Sequence, residues 1–437
     1  MEEPALLVTV GDATDRTAVV WVRARAAAPV TIEVGRDGDE SVRTVVVEPS
    51  AARDFTVRAK LDGLVAATRY RYRIRAAGAE REGTFRTAPA PEDRFPFTLL
   101  WSADLGARGF CRRVGERYAV FDAMTARRPD VFLFLGDTIY ADHRCGGGGA
   151  VPGAEFVART LGEFQAKHRY NREDQAVQAF LGQTTVWATW DDHDVRGNFA
   201  GPTEEFMPVG RQAFLDYWPI DVPADDPTRL YRRFRYGRLA EVFILDTRQY
   251  RSRNCQPDGP DKTMLGARQR RWLIDALTTS AAVWKIVASS VPLSIPKAWP
   301  CGDSWARRGL ALFSTGFAHE RDVILDALLE RAVSNVVFLA GDVHFASVIA
   351  HQPQPGFLLH ELLAGPLSAR PKQPDAPSHD LNPRVLFSAG GRPTFGEVEI
   401  GAMGLTVRVL DGAGGVLGTE RIAPAPSSSY LGSAQSP

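Results

Sequence analysis

The chain has 437 residues, enough for two or three domains, and 44% of them are hydrophobic, as in globular proteins with a substantial core. Basic and acidic residues balance at 52 each, so the net charge gives no argument for a nucleic-acid or anionic-membrane partner. No apolar run reaches the length of a transmembrane helix, and the acidic N-terminus lacks the basic residues of a signal peptide. A cytosolic chain and an exported chain numbered after leader removal both fit the sequence.

Residues 1–90 have the short, alternating strands of a small β-sandwich. Ala18 to Arg23 and Val30 to Val34 are strand-like, and Tyr70 to Arg75 alternates polar and apolar residues. Strands of this spacing favour a sandwich of immunoglobulin or fibronectin type, and no cluster of acids, histidines or cysteines occurs among them. We therefore predict a non-catalytic module over 1–90, followed by a proline-rich linker.

From Phe97 onward, apolar strands alternate with helical segments, which predicts an α/β domain over residues 96–422. The low-complexity residues 423–437 are predicted to be disordered. Four of the predicted strands end in acid or histidine: they precede Asp104, Asp137 with Tyr140, Asp192 with His193, and Asp342 with His344. Because ligands bind beyond the carboxyl ends of parallel strands, we expect these side chains in a single cleft.

Buried carboxylates repel one another, so positive charge must lie among them, and three of the four motifs contain no lysine or arginine. A pair of metal ions is the simplest interpretation, since two cations can bind both oxygens of an in-line displacement at phosphorus. Asp137 is the candidate bridging ligand, Tyr140 as phenolate favours ferric iron, and His193 is predicted to assist the leaving group. The predicted metal ligands are Asp104, Asp137, Tyr140, Asp192, Asp342 and His344.

Arg248 follows a fifth strand end, and two roles are open for it: clamping a phosphate oxygen, or forming a salt bridge under the cleft. The four cysteines are Cys111, Cys145, Cys255 and Cys301, and none forms a C-x-x-C pair, which disfavours a zinc ribbon. Cys255 and Cys301 lie in loop-like sequence, where a disulfide and free thiols are both possible.

Several motifs resemble known phosphatase families. Gly136 to Tyr140 is similar to the GDxxY block of purple acid phosphatases, and Gly341 to His344 to the GHxH block of metallophosphoesterases with Asp for the first His. Trp190 to Asp194, Leu245 to Arg251 and Met264 to Leu273 together resemble the PhoD-like alkaline phosphatase family, and the likeness covers nearly the whole chain apart from the tail.

The resemblance implies a four-layer α-β-β-α metallophosphoesterase sandwich behind an N-terminal fibronectin- or immunoglobulin-like domain. It implies hydrolysis of small-molecule or lipid phosphate esters by a metal-bound hydroxide at a dinuclear centre. This sequence departs from the family where Asp104 replaces a thiolate, and from the superfamily where Gly106 and Ser290 stand at histidine positions. Fewer nitrogen donors favour a hard second cation, so the expected pair is Fe(III) with Ca(II) or another divalent ion.

Two alternatives accompany this interpretation. A phosphodiesterase or phospholipase of the same family would differ in the rim, around Gly146 to Gly149, Ala298 to Arg308 and Ala364 to Pro383. Trp299 and Trp305 in that rim pack either on a base or acyl chain, or on the core. The other alternative is a non-catalytic binding protein that uses the β-module, against which the four acidic strand ends argue.

Overall fold

The computed structural model describes residues 5–107, 109–309 and 314–425. The predicted disordered tail therefore falls mostly outside the described residues. The strands are β1 (Leu7–Gly11), β2 (Ala18–Arg23), β3 (Val30–Arg36), β4 (Val42–Val47), β5 (Thr56–Leu61), β6 (Arg69–Ala76), β7 (Ala79–Arg86), β8 (Phe97–Ser102), β9 (Val131–Leu135), β10 (Thr185–Thr189), β11 (Arg232–Tyr236), β12 (Ala240–Ile244), β13 (Trp284–Ala288), β14 (Val336–Ala340), β15 (Ala346–Gln354), β16 (Phe357–Leu363), β17 (Pro383–Ala389), β18 (Thr394–Gly401), β19 (Gly404–Asp411) and β20 (Val416–Ile422). The α-helices are α1 (Val120–Arg127), α2 (Leu161–Arg172), α3 (Gln175–Leu181), α4 (Met207–Tyr217), α5 (Gly266–Thr279) and α6 (Ala318–Glu330).

Two large sheets carry the strands that were predicted to be buried. The first has the order β20-β19-β18-β8-β9-β10-β1-β2-β5, and the second has the order β11-β12-β13-β14-β16-β15-β17. Strands β8, β9 and β10 run parallel in the first sheet, as do β12, β13, β14 and β16 in the second. The predicted mixed α/β class is confirmed, and the carboxyl ends of each parallel set share one edge of their sheet.

The two sheets pack face to face, because alternate residues of their strands meet in one core. In β9, Leu133 and Leu135 face the second sheet, where they share a core with Val242 of β12, while Phe132 and Phe134 face the other way. Helices α1 to α4 cover that outer face of the first sheet, and α5 and α6 cover the outer face of the second. Burial on both faces explains why these strands are unbroken apolar runs.

Local capping fixes the start of α2, which begins at Leu161 directly after Thr160. Thr160 and Glu163 form a reciprocal capping box that satisfies two free backbone N–H groups and so fixes the start. None of the described helices is both long and apolar enough to cross a membrane.

The N-terminal region is β-rich as predicted, but it is not separated from the rest of the chain. The sheet β4-β3-β6-β7 packs on β1, β2 and β5 across a shared core. Strand β1 also pairs in parallel with β10, with Val10 opposite Thr185, so three N-terminal strands extend the first large sheet. The sequence did not indicate this pairing, which gives β10 a partner on the side away from β9 and removes an exposed sheet edge.

Candidate metal centre

The predicted strand ends meet in one place, on sharply turned backbone. Asp104, Asp137, Asp342 and His344 all have left-handed backbone conformations, with φ of 67°, 47°, 67° and 61°. Such conformations are costly for non-glycine residues and cluster at functional sites. Asp194 fixes the turn after β9, since its Oδ1 accepts hydrogen bonds from the Thr138 hydroxyl at 2.6 Å and the Thr138 backbone N–H at 3.1 Å.

Asp104, Asp137, Tyr140 and His344 form what we call the first ligand group. One potential ligand atom each of Asp104, Asp137 and His344 lies within 4.8 Å of the others, and the Tyr140 hydroxyl is 3.2 Å from His344 Nε2. The His344 Nδ1 lies 2.7 Å from the carbonyl oxygen of Arg370. That contact places a proton on Nδ1 and leaves the Nε2 lone pair directed at the group, as in histidines that bind metals.

Asp191, Asp192 and Asp342 form the second ligand group, again with one oxygen each within 4.8 Å of the others. Asp137 joins the two groups, because it also lies within the same limit of Asp192 and His193. Burial and the neighbouring carboxylates raise the pKa of Asp137 well above its ordinary value, which shows that its negative charge is poorly compensated.

Six buried carboxylate oxygens of these groups have no hydrogen-bond partner among the described residues: Asp104 Oδ1 and Oδ2, Asp137 Oδ2, Asp191 Oδ2, Asp192 Oδ1 and Asp342 Oδ2. Buried polar atoms are rarely left without a partner, and several at one place call for an explanation. Hard anionic oxygens with one imidazole nitrogen are a donor set that fits a hard cation such as ferric iron, calcium or manganese.

Lys297 enters this centre and was missed by the sequence analysis. Its Nζ contacts Asp342 Oδ1, and only 16% of its side chain is exposed. Burial lowers the pKa of Lys297, but Asp342 and Asp192 outweigh that effect, so the net change is upward and the side chain is an ammonium ion. The residue lies in the loop after β13, away from any strand end, and no sequence pattern marks it.

Arg248 is fully buried and paired with two carboxylates, those of Asp191 and Asp303. Its Nε is 2.5 Å from Asp191 Oδ1, and its two terminal nitrogens bind both oxygens of Asp303 at 2.8 and 2.9 Å. Arg251 also donates to Asp303, at 2.7 Å. The Arg248 side chain has no exposed surface for contact with a substrate, and it holds Asp191 in position.

His193 lies at the edge of the centre, stacked on Tyr140 with ring centroids 4.5 Å apart. Its Nδ1 is 2.9 Å from each carboxylate oxygen of Asp142, a residue that the sequence analysis did not single out. Burial lowers the pKa of His193, but the charge of Asp192 and the hydrogen bond with Asp142 outweigh it and raise the pKa to about 9. The ring can therefore carry a proton at neutral pH.

All four cysteines are paired, Cys111 with Cys145 and Cys255 with Cys301. The second pair was one of the two possibilities stated for those residues, and the first was not predicted. The Cys111–Cys145 bond closes the segment that contains Asp137 and Tyr140. The Cys255–Cys301 bond closes the segment that contains Lys297. Both segments that supply these residues are thus cross-linked.

Two packed sheets, with a cluster of acids and histidines at their strand ends, define the fold and site of a metallophosphatase. Residues 109–399 match the family described as PhoD-like phosphatase, and residues 5–89 match its N-terminal domain. The first match covers well over half of the chain, so the chain belongs to the PhoD-like phosphatase family. The family resemblance drawn from the sequence motifs is confirmed.

Individual proteins are also similar to this chain. Alkaline phosphatase D of Bacillus subtilis (strain 168) is 28% identical over 395 residues, which are 77% of this chain; the chain spans 64% of that relative's length. The solved structure of PhoD matches over 96% of this chain and 92% of its own, with 21% identity and a TM-score of 0.78. Purple acid phosphatase PPD1 from yellow lupin (Lupinus luteus) seeds matches over 96% and 74%, with 12% identity and a TM-score of 0.66. At these identities the two structures show the shared fold alone.

Proposed function

We propose that the protein is a metal-dependent phosphoester hydrolase acting on small phosphate esters. The observation that carries this proposal is the set of buried carboxylate oxygens that have no hydrogen-bond partner among the described residues, beyond the ends of β8, β9, β10 and β14. The family to which the chain belongs and its similarity to alkaline phosphatase D support it. Burying several carboxylates close together destabilises the fold, and a non-catalytic binding protein would gain no function from it.

We infer that the fold is the four-layer metallophosphoesterase sandwich with a fibronectin-like N-terminal domain. The helices on both outer faces of the two packed sheets support the first part. The packing of β4-β3-β6-β7 on β1, β2 and β5 supports the second.

Asp104, Asp137, Tyr140 and His344 would hold a metal ion, and their hard donors favour ferric iron. Asp192 and Asp342 continue the centre into the second ligand group, where the sequence predicts a second cation such as Ca(II). A bound cation supplies charge that polarises a phosphoryl oxygen and lowers the pKa of water.

The chain's own residues account for the remaining steps. His193 donates its Nε2 proton to the oxygen of the leaving group, because its other nitrogen is held by Asp142. Arg248 keeps Asp191 fixed beneath the reacting atoms. These side chains are already oriented before negative charge develops on the phosphoryl oxygens, so they need to move little to stabilise the transition state.

The test is turnover of p-nitrophenyl phosphate by protein stripped with a chelator and then supplied with single metal ions. We expect the stripped protein to be inactive, and activity to return with a stoichiometric amount of metal measured on the protein. A matched control is Asp62→Asn, which removes an exposed carboxylate far from the centre and should respond like the wild type. Full activity without metal, or no activity with any metal on any phosphate ester, would overturn the proposal.

A diesterase is the second candidate, and one observation favours it. Trp299 is 71% exposed and lies two residues from Lys297, whose ammonium contacts the centre. Trp305, by contrast, is 2% exposed and packs in the core. An exposed tryptophan at the rim offers an apolar face for a second group on phosphorus, such as a base or an acyl chain.

A further inference from the structure

We propose that the ammonium group of Lys297 is the second cationic group of the centre, held where a dinuclear site would take its second metal ion. This inference rests on the proposed function, since it assigns a residue within the same site. It keeps one metal ion at the first ligand group and replaces the other by a side chain. The predicted metal pair thus becomes one metal ion and one lysine.

The first argument is the position of the ammonium. Lys297 Nζ contacts Asp342 Oδ1, and only 16% of the lysine side chain is exposed. Asp191, Asp192 and Asp342 are the second ligand group. The ammonium therefore lies at the same carboxylates that a second metal ion would bind.

The second argument is that the loop presents Lys297 to the centre and is anchored on both sides. Before it, Leu293 N–H and the Ser294 hydroxyl both donate to the buried carboxylate of Glu361, at 2.6 and 2.5 Å. After it, the Ser304 hydroxyl binds Ile295 O at 2.7 Å and accepts from the Lys297 backbone N–H at 3.3 Å. A side chain on so constrained a loop is pre-organised for its contact.

The third argument is the donor set of the second ligand group, which consists of carboxylates alone. Ser290 stands where the family resemblance places a histidine, and its hydroxyl donates to Asp191 at 2.7 Å. Among the described residues, no nitrogen ligand is therefore available at the carboxyl end of β13. Carboxylate oxygens pair with an ammonium group as well as with a hard metal ion, and Asp342 of the group already contacts Lys297.

The fourth argument is the balance of charge. Arg248 and Arg251 are paired with Asp191 and Asp303, which neutralises those two carboxylates. Four carboxylates of the centre remain: Asp104, Asp137, Asp192 and Asp342. The Tyr140 phenolate that a ferric ion would take adds a fifth negative charge. A trivalent ion at the first ligand group therefore leaves two negative charges, and the Lys297 ammonium offsets one of them.

In the reaction, the ammonium would act on the substrate as a point charge with three N–H donors on a flexible stem. It can keep its contact with Asp342 and donate to a phosphoryl oxygen as negative charge develops there. Lys297 is in this sense a catalytic residue, because it touches the group that reacts.

The test compares metal stoichiometry in the wild type, Lys297→Met, Lys297→Arg and the control Lys372→Met. Lys372 is exposed, and only its backbone N–H contacts His344. Apo protein is titrated with Fe(III) and then with Ca(II) or Mn(II), and bound metal is measured by elemental analysis and calorimetry. We expect one tight equivalent in the wild type, Lys297→Arg and Lys372→Met. Lys297→Met should bind a second, divalent equivalent at least tenfold more tightly than the wild type does.

Activity gives a second readout. With one equivalent of metal, Lys297→Met should lose on the order of 10²-fold in kcat, the usual effect of removing one electrostatic group from a transition state. Excess divalent cation should restore most of that loss in Lys297→Met and have little effect on Lys372→Met. Lys297→Arg keeps the positive charge, so it serves as the control for effects on folding of any substitution at this position.

The possible failures are distinguishable. If the wild type hydrolyses phosphate esters with two tightly bound metal ions, and Lys297→Met binds the same two with the same affinity, Lys297 does not hold the second position. The proposed function would then stand and this inference would be wrong. A wild type that binds no metal and hydrolyses no ester would overturn both.

Discussion

The imidazole of His193 and the carboxylate of Asp142 form a hydrogen-bonded pair, with Nδ1 2.9 Å from each oxygen. Asp142 Oδ2 also accepts the backbone N–H of Gly197 at 2.8 Å, so the carboxylate is fixed from a second side. The pair leaves one nitrogen of His193 free to face the centre.

Replacing His193 by Ala should lower kcat by about 10²–10⁴-fold for substrates with poor leaving groups, because proton transfer to the departing oxygen is lost. The loss should shrink for p-nitrophenolate and other acidic leaving groups, which depart without a proton. Asp142→Asn should show the same trend with a smaller loss, and the double variant should be no worse than His193→Ala alone. An equal loss across all leaving groups would point to a role in packing or metal binding instead.

Replacing Asp137 by Asn should abolish turnover without unfolding the chain, since Asp137 belongs to the first ligand group and also lies within 4.8 Å of Asp192 and His193. The measurement is kcat together with far-UV circular dichroism and bound metal. Asp62→Asn is the control, and it should keep wild-type values. A folded Asp137→Asn protein with normal turnover would remove the basis of the assignment.

Protein loaded with ferric iron should be coloured, because a phenolate bound to Fe(III) gives a charge-transfer band in the visible. The Tyr140 hydroxyl lies 3.2 Å from His344 Nε2, close enough for both to bind one ion. Burial and the charges of Asp137 and Asp104 raise the pKa of the Tyr140 phenol, so ionisation requires a cation beside it. Tyr140→Phe should lose the band, while Tyr236→Phe, which removes a buried tyrosine stacked on Phe97, should keep it. A colourless protein with one iron per chain would exclude the tyrosinate ligand.

Replacing Trp299 by Ala should raise KM for aryl and acyl phosphodiesters by several-fold and leave small monoesters unaffected. The reason is that the exposed ring can contact only a substituent that extends beyond the phosphate. Steady-state kinetics on matched mono- and diesters provide the measurement. The exposed Val416→Ala serves as the control for loss of an apolar surface side chain. Equal effects on both ester classes would argue against a subsite at Trp299.

Stability of the metal-free chain should fall as pH drops below about 6.5, in part because of His168. Burial, with a smaller effect of the Arg172 charge, lowers the pKa of His168 to about 3. The unfolded chain therefore binds a proton at His168 near pH 6.5 that the folded chain binds only near pH 3. Between these two pKa values, each drop of one pH unit lowers the free energy of unfolding by up to about 1.4 kcal/mol through this one group.

The measurement is the free energy of unfolding in denaturant at pH 7.0 and 4.5. His168→Phe should lose less stability than the wild type between the two pH values, whatever its stability at pH 7.0. His379→Phe changes an exposed histidine and should keep the wild-type difference. An unchanged difference in His168→Phe would show that other groups dominate the acid response.

The parts of the fold that sequence predicted well are those with a strong local signal. Strand β9 is an uninterrupted apolar run, because both of its faces are buried, and its end at Gly136 and Asp137 is just as clear. Asp104 and Asp137 come together because the parallel strands β8 and β9 end at one edge of the first sheet. His344 joins them from the end of β14 in the second sheet, and the strand pattern alone does not indicate how two sheets meet.

The residues that sequence missed depend on distant partners. Lys297 meets Asp342, which lies 45 residues away, and nothing local distinguishes it from a surface lysine. Asp142 gains its role only when a turn brings His193 beside it from 51 residues away. Likewise, the pairing of β1 with β10 joins residues more than 170 positions apart. The alternation of polar and apolar residues shows which face of a strand is buried, but it does not show which distant strand pairs with it.

That pairing has a consequence for the order in which the chain can fold during synthesis. Strand β1 is translated before the other described strands, and its parallel neighbour β10 follows some 175 residues later. Until then β1 can close only the antiparallel side with β2, and its other side stays open to non-native partners. A fragment beginning at residue 96 would have the complementary defect, an uncovered β10. The N-terminal region and the phosphatase region are therefore best expressed as one polypeptide.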